Sequence, residues 1–270
     1  MGAARPVALR ASKSGPAEQA LTADISQQGH PVLCGCIACR AAAGSDSAQG
    51  AAPTQAAMGT TVLPASLSGT QYIDALLSPG QYRWNANAPG APLTLTYGFM
   101  TTMPWYAYAF GNESGPFQAF TAVQQDGVNR AVQMFEQVCN VDFVYRADGD
   151  NAQVRFGTAT LQYWEAAHAY YPDPGGEWSG DVWFNSTDPS VPFQNSGSYG
   201  FLVTMHEMGH ALGLKHSFSD GSFGGTVLTP DKDNRQYTVM SYNGPPPGRR
   251  KYHEGSMLVN TSLPVRMPSF

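Results

Sequence analysis

Between His206 and His216 the chain reads HEMGHALGLKH, three histidines with a glutamate and a glycine in fixed register. His206 and His210 are four residues apart, so on a helix of 3.6 residues per turn their rings share one face and can hold one metal ion. Glu207 lies about 100° further round the helix, beside the ion's open side, a position that suits a general base. Gly213 can adopt the left-handed backbone that ends a helix, and the reversal lets His216 approach the same ion from outside. Three imidazoles without a cysteine leave a fourth coordination position open, the pattern of a catalytic zinc centre rather than a structural one. Half of the chain's six histidines fall at this spacing, which sets aside the plainer reading of them as ordinary helix residues.

The elements that must position these groups are legible around them. Ser198 is a good N-cap, and the spacing predicts a helix from there through both helical histidines to Leu212. Downstream, Tyr237-Thr238-Val239-Met240-Ser241-Tyr242 supplies a methionine turn, in which Met240 is read as a packing residue and not a catalytic one. Between Phe117 and Cys139, Val128, Ala131, Val132, Phe135 and Val138 recur at helical spacing, predicting a long amphipathic helix laid on a sheet. A short helix is expected at Asp74–Leu77 before Ser78-Pro79-Gly80. Leu93–Tyr97, Val141–Tyr145, Gln153–Phe156 and Gly180–Asn185 read as strands, with Asp148–Asn151 as a turn. Strands interleaved with helices predict a mixed α/β fold: a twisted mixed sheet, long helices and an active-site zinc helix.

Composition bounds the rest. Charged residues are 13% of 270, and 29 glycines with 20 prolines favour a loop-rich globular protein over a helical bundle. A net charge of -5 gives a nucleic-acid partner no electrostatic support. No apolar run approaches a membrane span, and the N-terminus lacks a secretory signal pattern. Residues 1–66, rich in Ala, Gly, Ser and Gln, read as a flexible leader or propeptide-like segment, 67–242 as the catalytic domain, and 243–270 as an irregular tail. Within the leader, Cys34, Cys36 and Cys39 read as free thiols, because C-x-C-x-x-C lacks a second ligand pair; a small metal clip or a latency thiolate are the functional alternatives.

With motif, turn and strands together, the chain resembles the serralysin group of metzincin peptidases, with features of the related matrixins. Leu93–Phe99, Val154–Gly157, His168–Pro172, Gly180–Asn185, Tyr199–His216 and Asp233–Tyr242 look like serralysin segments in the same order, over roughly residues 68–242. Ser217 after the third histidine is the more matrixin-like feature, while Met-Ser-Tyr at the turn favours serralysin. The resemblance implies one catalytic zinc on His206, His210 and His216, Glu207 as the catalytic base, and Tyr242 as a residue that ligates zinc at rest and swings to stabilise the oxyanion. It implies protein or peptide substrates, laid as extended chains along an exposed edge strand expected near Val154–Ala159, and an extracellular location. A monomer is expected, and calcium is left open.

The chain departs from that pattern after the turn, where Asn243–Arg250 is rich in proline and glycine, and Pro264 and Pro268 argue against a final helix. The alternative function is therefore a catalytically weak or inactive zinc-containing peptide-binding protein from a truncated reading frame. His30, His168 and His253 are assigned to no metal, and His168 is read as a structural histidine with a satisfied ring.

Overall fold

The computed structural model describes residues 62–84, 91–191, 194–221 and 223–245. The leader, its three cysteines, His30, His253 and the proline-rich segment from 246 onward lie outside the described residues. A two-stranded antiparallel sheet pairs β1 (Val62–Pro64) with β2 (Tyr82–Trp84), and a short helix α1 (Gln71–Asp74) sits between them in sequence. The main sheet contains β3 (Leu93–Phe99), β4 (Ser114–Gln118), β5 (Val141–Tyr145), β6 (Val154–Thr160), β7 (Ala167–Ala169) and β8 (Val182–Asn185). Its order is β5-β3-β6-β8-β7, with β4 also on β6; β5, β3, β6 and β8 run parallel, while β7 and β4 are antiparallel to their neighbours. The expected mixed α/β architecture is what the chain adopts.

Two long helices stand where the spacing predicts them, and a short one, with no sequence expectation behind it, precedes them. The six-residue α2 (Trp105–Phe110) ends on Gly111, whose φ of 67° no β-carbon favours. Helix α3 (Ala122–Glu136) starts with a capping box, in which Gln124 N donates to Thr121 Oγ1 and Thr121 N donates to Gln124 Oε1. Its Val128, Ala131, Val132 and Phe135 are buried, and it packs against β5 and against α4 (Tyr199–Ala211). The core joins these helices to Leu95, Val154, Phe156 and Phe184 of the sheet, with Cys139 at its margin, where burial pushes the thiol up to about 12.

One expectation is corrected. Strand β6 is not the exposed edge: β3 and β8 flank it, and β4 pairs at Thr158 and Thr160, past the register where β3 ends at Phe156. Six of its seven residues are buried, the mark of an interior parallel strand covered on both faces. The edges of the main run are β5, paired with β3 only, and β7, hydrogen-bonded along β8 only and packed against α4. Strand β4 escapes sequence detection because Gly115 and Pro116 interrupt it and most of it is exposed.

Candidate active site

Helix α4 carries the first two histidines. Phe201 N donates to Ser198 Oγ at its start, as the N-cap reading requires. At its end Gly213 takes φ 104°, Gly213 N donates to His210 O, and Leu214 N donates to Gly209 O, the paired bonds of a Schellman stop. Trp84 on β2 adds a third closure, its Nε1 donating to Ala211 O at 2.8 Å. The chain then reverses, and His216 meets the helical pair.

The three Nε2 atoms stand 3.0 Å (His206–His210), 3.1 Å (His210–His216) and 3.2 Å (His206–His216) apart, on rings that are all buried. Each Nδ1 faces an acceptor: Val239 O at 2.7 Å from His206, Leu214 O at 2.7 Å from His210, and Asp220 Oδ2 at 2.6 Å from His216. Backbone carbonyls cannot donate, so the Nδ1 atoms of His206 and His210 carry the ring protons, and the Asp220 carboxylate selects the same tautomer for His216. In neutral rings the Nε2 atoms then carry lone pairs, three of them converging with no hydrogen between. Such an arrangement repels itself unless a cation is shared. For zinc–nitrogen bonds of about 2.0 to 2.1 Å, tetrahedral geometry separates two ligand nitrogens by about 3.3 Å, close to the observed spacing. The donor set fits zinc, and it is the one cluster of three or more metal-competent side chains among the described residues.

The other expected residues are brought to the same place. The Tyr242 hydroxyl lies 3.0 Å from His216 Nε2, its ring tilted against His216 and Phe218. Glu207 is buried and lines a pocket of about 270 Å³, open mouth included, together with His206 and Tyr242. Met240 is fully buried beneath the helix: a β-carbon added at Gly209 would stand 2.5 Å from its Sδ.

Four participants had no sequence signal of their own. Asp220 orients His216 from a loop, the Tyr171 hydroxyl lies 2.8 Å from His210 Nδ1, Arg235 lines the pocket, and Trp84 closes the helix. His168 stays away from the metal cluster, with Nδ1 2.6 Å from Glu165 Oε1 and Nε2 2.7 Å from Glu113 Oε1. Burial disfavours its charged form, but the Glu165 and Glu113 carboxylates outweigh that and push it up to about 9.

Comparison with known proteins agrees with this geometry. Residues 106–239 match the family model described as matrixin, of the M10 peptidases. The chain is 31% identical over 182 residues to serralysin G of Dickeya chrysanthemi, covering 62% of this chain and 37% of that protein. It is 32% identical over 183 residues to a serralysin of Photorhabdus sp. (strain Az29), 61% of this chain and 36% of the relative. It is also 32% identical over 179 residues to the metalloprotease AprA of Pseudomonas entomophila (strain L48), 64% and 36% respectively. The chain belongs to the serralysin-like metzincins. A metzincin domain of this kind implies zinc, and the histidine triad matches that requirement. The chain spans a little over a third of the length of the relatives it matches. Among the described residues, no helix of this metzincin is long and apolar enough to cross a membrane.

Proposed function

We propose that residues 67–242 form a zinc-dependent endopeptidase unit acting on extended polypeptides. The observation that carries this reading is the convergence of three Nε2 lone pairs, each tautomer set by an acceptor on its Nδ1, beside a buried glutamate that lines an open pocket. Held there by His206, His210 and His216, zinc would supply a Lewis acid and lower the pKa of a bound water towards neutrality. Glu207 takes the proton from the attacking water and delivers it to the departing amine. Its burial strips away bulk solvent that would otherwise compete for the proton. Tyr242 donates its hydroxyl to the oxyanion that forms on the scissile carbonyl, a contact worth most in the transition state.

The substrate is read as adding to β7, because β6 is interior and β7 is the edge strand that packs against the histidine helix. Alternate backbone groups of an antiparallel edge strand point away from its one partner, and pairing through backbone alone tolerates many side chains. In this reading the unit works as a monomer on protein or peptide substrates.

The test is casein hydrolysis by purified, zinc-loaded protein. Activity that disappears with a chelator, and falls at least about 100-fold in Glu207→Ala while zinc content is kept, supports the assignment. Folded, zinc-loaded protein that cleaves nothing but still binds peptides refutes the hydrolytic step and leaves the peptide-binding alternative.

A further inference from the structure

The pocket beside Glu207 has a wall that the endopeptidase reading does not use. Leu202 and Val203 of α4 and Val239 of the methionine turn make it apolar, and Arg235 is its single basic lining residue. The Arg235 backbone is fixed beside this wall, its N donating to Asn243 O at 2.9 Å, and the side chain makes one long contact, Nε to Ser241 O at 3.4 Å. No carboxylate pairs with it among the described residues, where the acidic partners of the ion pairs are Asp126, Asp181, Glu113, Glu165 and Asp220. Partial burial lowers its pKa, and the ionisable groups that act against this are the phenols of Tyr199 and Tyr242, not a carboxylate.

We propose that Arg235 makes this pocket a subsite for an acidic side chain next to the scissile bond, so that the enzyme prefers glutamate there over its neutral isostere. A half-buried guanidinium without a carboxylate partner has lost part of its hydration, and a bound carboxylate restores it with paired, charge-assisted hydrogen bonds. The apolar wall suits the methylene stem of glutamate, and the guanidinium suits its end. Glu207 does not fill this role, since its carboxylate is committed to proton transfer. The inference rests on the endopeptidase reading, and its test separates the two.

The probe is a set of decapeptides identical except for Glu, Gln, Leu or Lys after the scissile bond, with the cut located by mass spectrometry. We expect kcat/KM for Glu to exceed that for Gln by about 10-fold or more, and the ratio to fall towards one in Arg235→Gln. In Arg235→Glu the order of Glu and Lys peptides reverses. Arg235→Met, which keeps the packed stem, replaces Arg235→Gln if that variant fails to fold. A Glu-to-Gln ratio near one in the wild type overturns the proposal, as does a Leu-led profile that survives Arg235→Gln. If the wild type cleaves no peptide, the hydrolytic reading fails alone, and the subsite is judged by fluorescence anisotropy on zinc-loaded Glu207→Ala. There, tighter binding of the Glu peptide that is lost on adding Arg235→Gln sustains it, and equal binding of Glu and Gln peptides refutes it.

Discussion

Gly209, in the middle of the histidine helix, sits where the packing beneath leaves no room for a side chain. An alanine there places its β-carbon 2.5 Å from Met240 Sδ, 3.3 Å from Met240 Cε and 3.6 Å from Leu214 Cδ1. Ordinary contact requires the sulfur to retreat by roughly 1 Å in an interior packed without spare volume. Met240 has nowhere easy to go, being wholly buried in a cluster with Leu77 and Leu214. Two effects then compete. Alanine improves an interior helix position by about 1 kcal/mol relative to glycine, whereas overpacking a tight core costs about 1 to 3 kcal/mol.

The expected net effect of Gly209→Ala is a destabilisation of about 1 kcal/mol, with a larger relative effect on the metal. Val239 precedes Met240, and its carbonyl accepts from His206 Nδ1, so displacing the methionine displaces the acceptor that orients a ligand. Loss of such an orienting contact weakens metal affinity by about 10- to 100-fold. Urea unfolding of the metal-free protein gives the first quantity, and competition with a chromophoric chelator gives the second. Met240→Val removes the sulfur and the terminal methyl. In that background Gly209→Ala should turn stabilising by about 1 kcal/mol, because only the helix term remains. A Gly209→Ala protein that is more stable than wild type and binds zinc equally well would refute the reasoning.

Other outcomes follow from single contacts. Asp220→Asn replaces the carboxylate 2.6 Å from His216 Nδ1 with an amide, and zinc affinity should fall about 10- to 100-fold by chelator competition; unchanged affinity would remove Asp220 from the site. Trp84→Phe removes the buried donor to Ala211 O, and urea unfolding should show a loss of about 1 to 3 kcal/mol, against which a loss below about 0.5 kcal/mol would count. His168 is held up at about 9 in the folded state against an ordinary value of 6.5, so its contribution is fully present below pH 6.5 and is lost as pH rises through about 9. The full shift corresponds to about 3 kcal/mol, and the unfolding midpoint should drop between pH 6.5 and 9.5 in the wild type but not in His168→Gln; equal drops in both would exclude His168 as the cause.

What could be read in the chain before folding was whatever depends on neighbours in sequence. Ser198 and Gly213 delimit α4, the Thr121–Gln124 box starts α3, and β5 occupies Val141–Tyr145 as its β-branched and aromatic run predicts. Helix α1 lies a few residues earlier than its apolar residues suggest, because Asp74 ties it back to Ser68 and Gly69. The edge strand was misplaced for a different reason. Whether a strand is central or marginal depends on partners far along the chain: Phe156 pairs with both Phe99 and Val182, and no local pattern encodes that. The same holds for Asp220, Tyr171 and Arg235, which take their roles from where a loop ends up and not from any spacing to the histidines.

That division explains the composition of the segment after the helix. From Gly213 to Pro245 the described residues form no helix or strand, yet this stretch supplies the third histidine, all three Nδ1 acceptors, two of them backbone carbonyls, and Tyr242. Its shape is kept by polar clips. Lys215 N donates to Leu76 O, Lys215 Nζ donates to the carbonyls of His216 and Thr226, and Leu228 N donates to Ser217 O. Ser217 Oγ and Asn243 Nδ2 donate to the two oxygens of Asp233. Lys215, Ser217, Asp233 and Asn234 are buried, an expensive choice of residues for a core and a suitable one for a loop whose backbone has few partners of its own. Apolar packing tolerates sliding by a fraction of an ångström, whereas a charge-assisted hydrogen bond loses strength steeply when its geometry is spoiled. A ligand loop that must hold Nε2 atoms to within a few tenths of an ångström of one another's required spacing is better served by the second kind of contact, at some cost in stability.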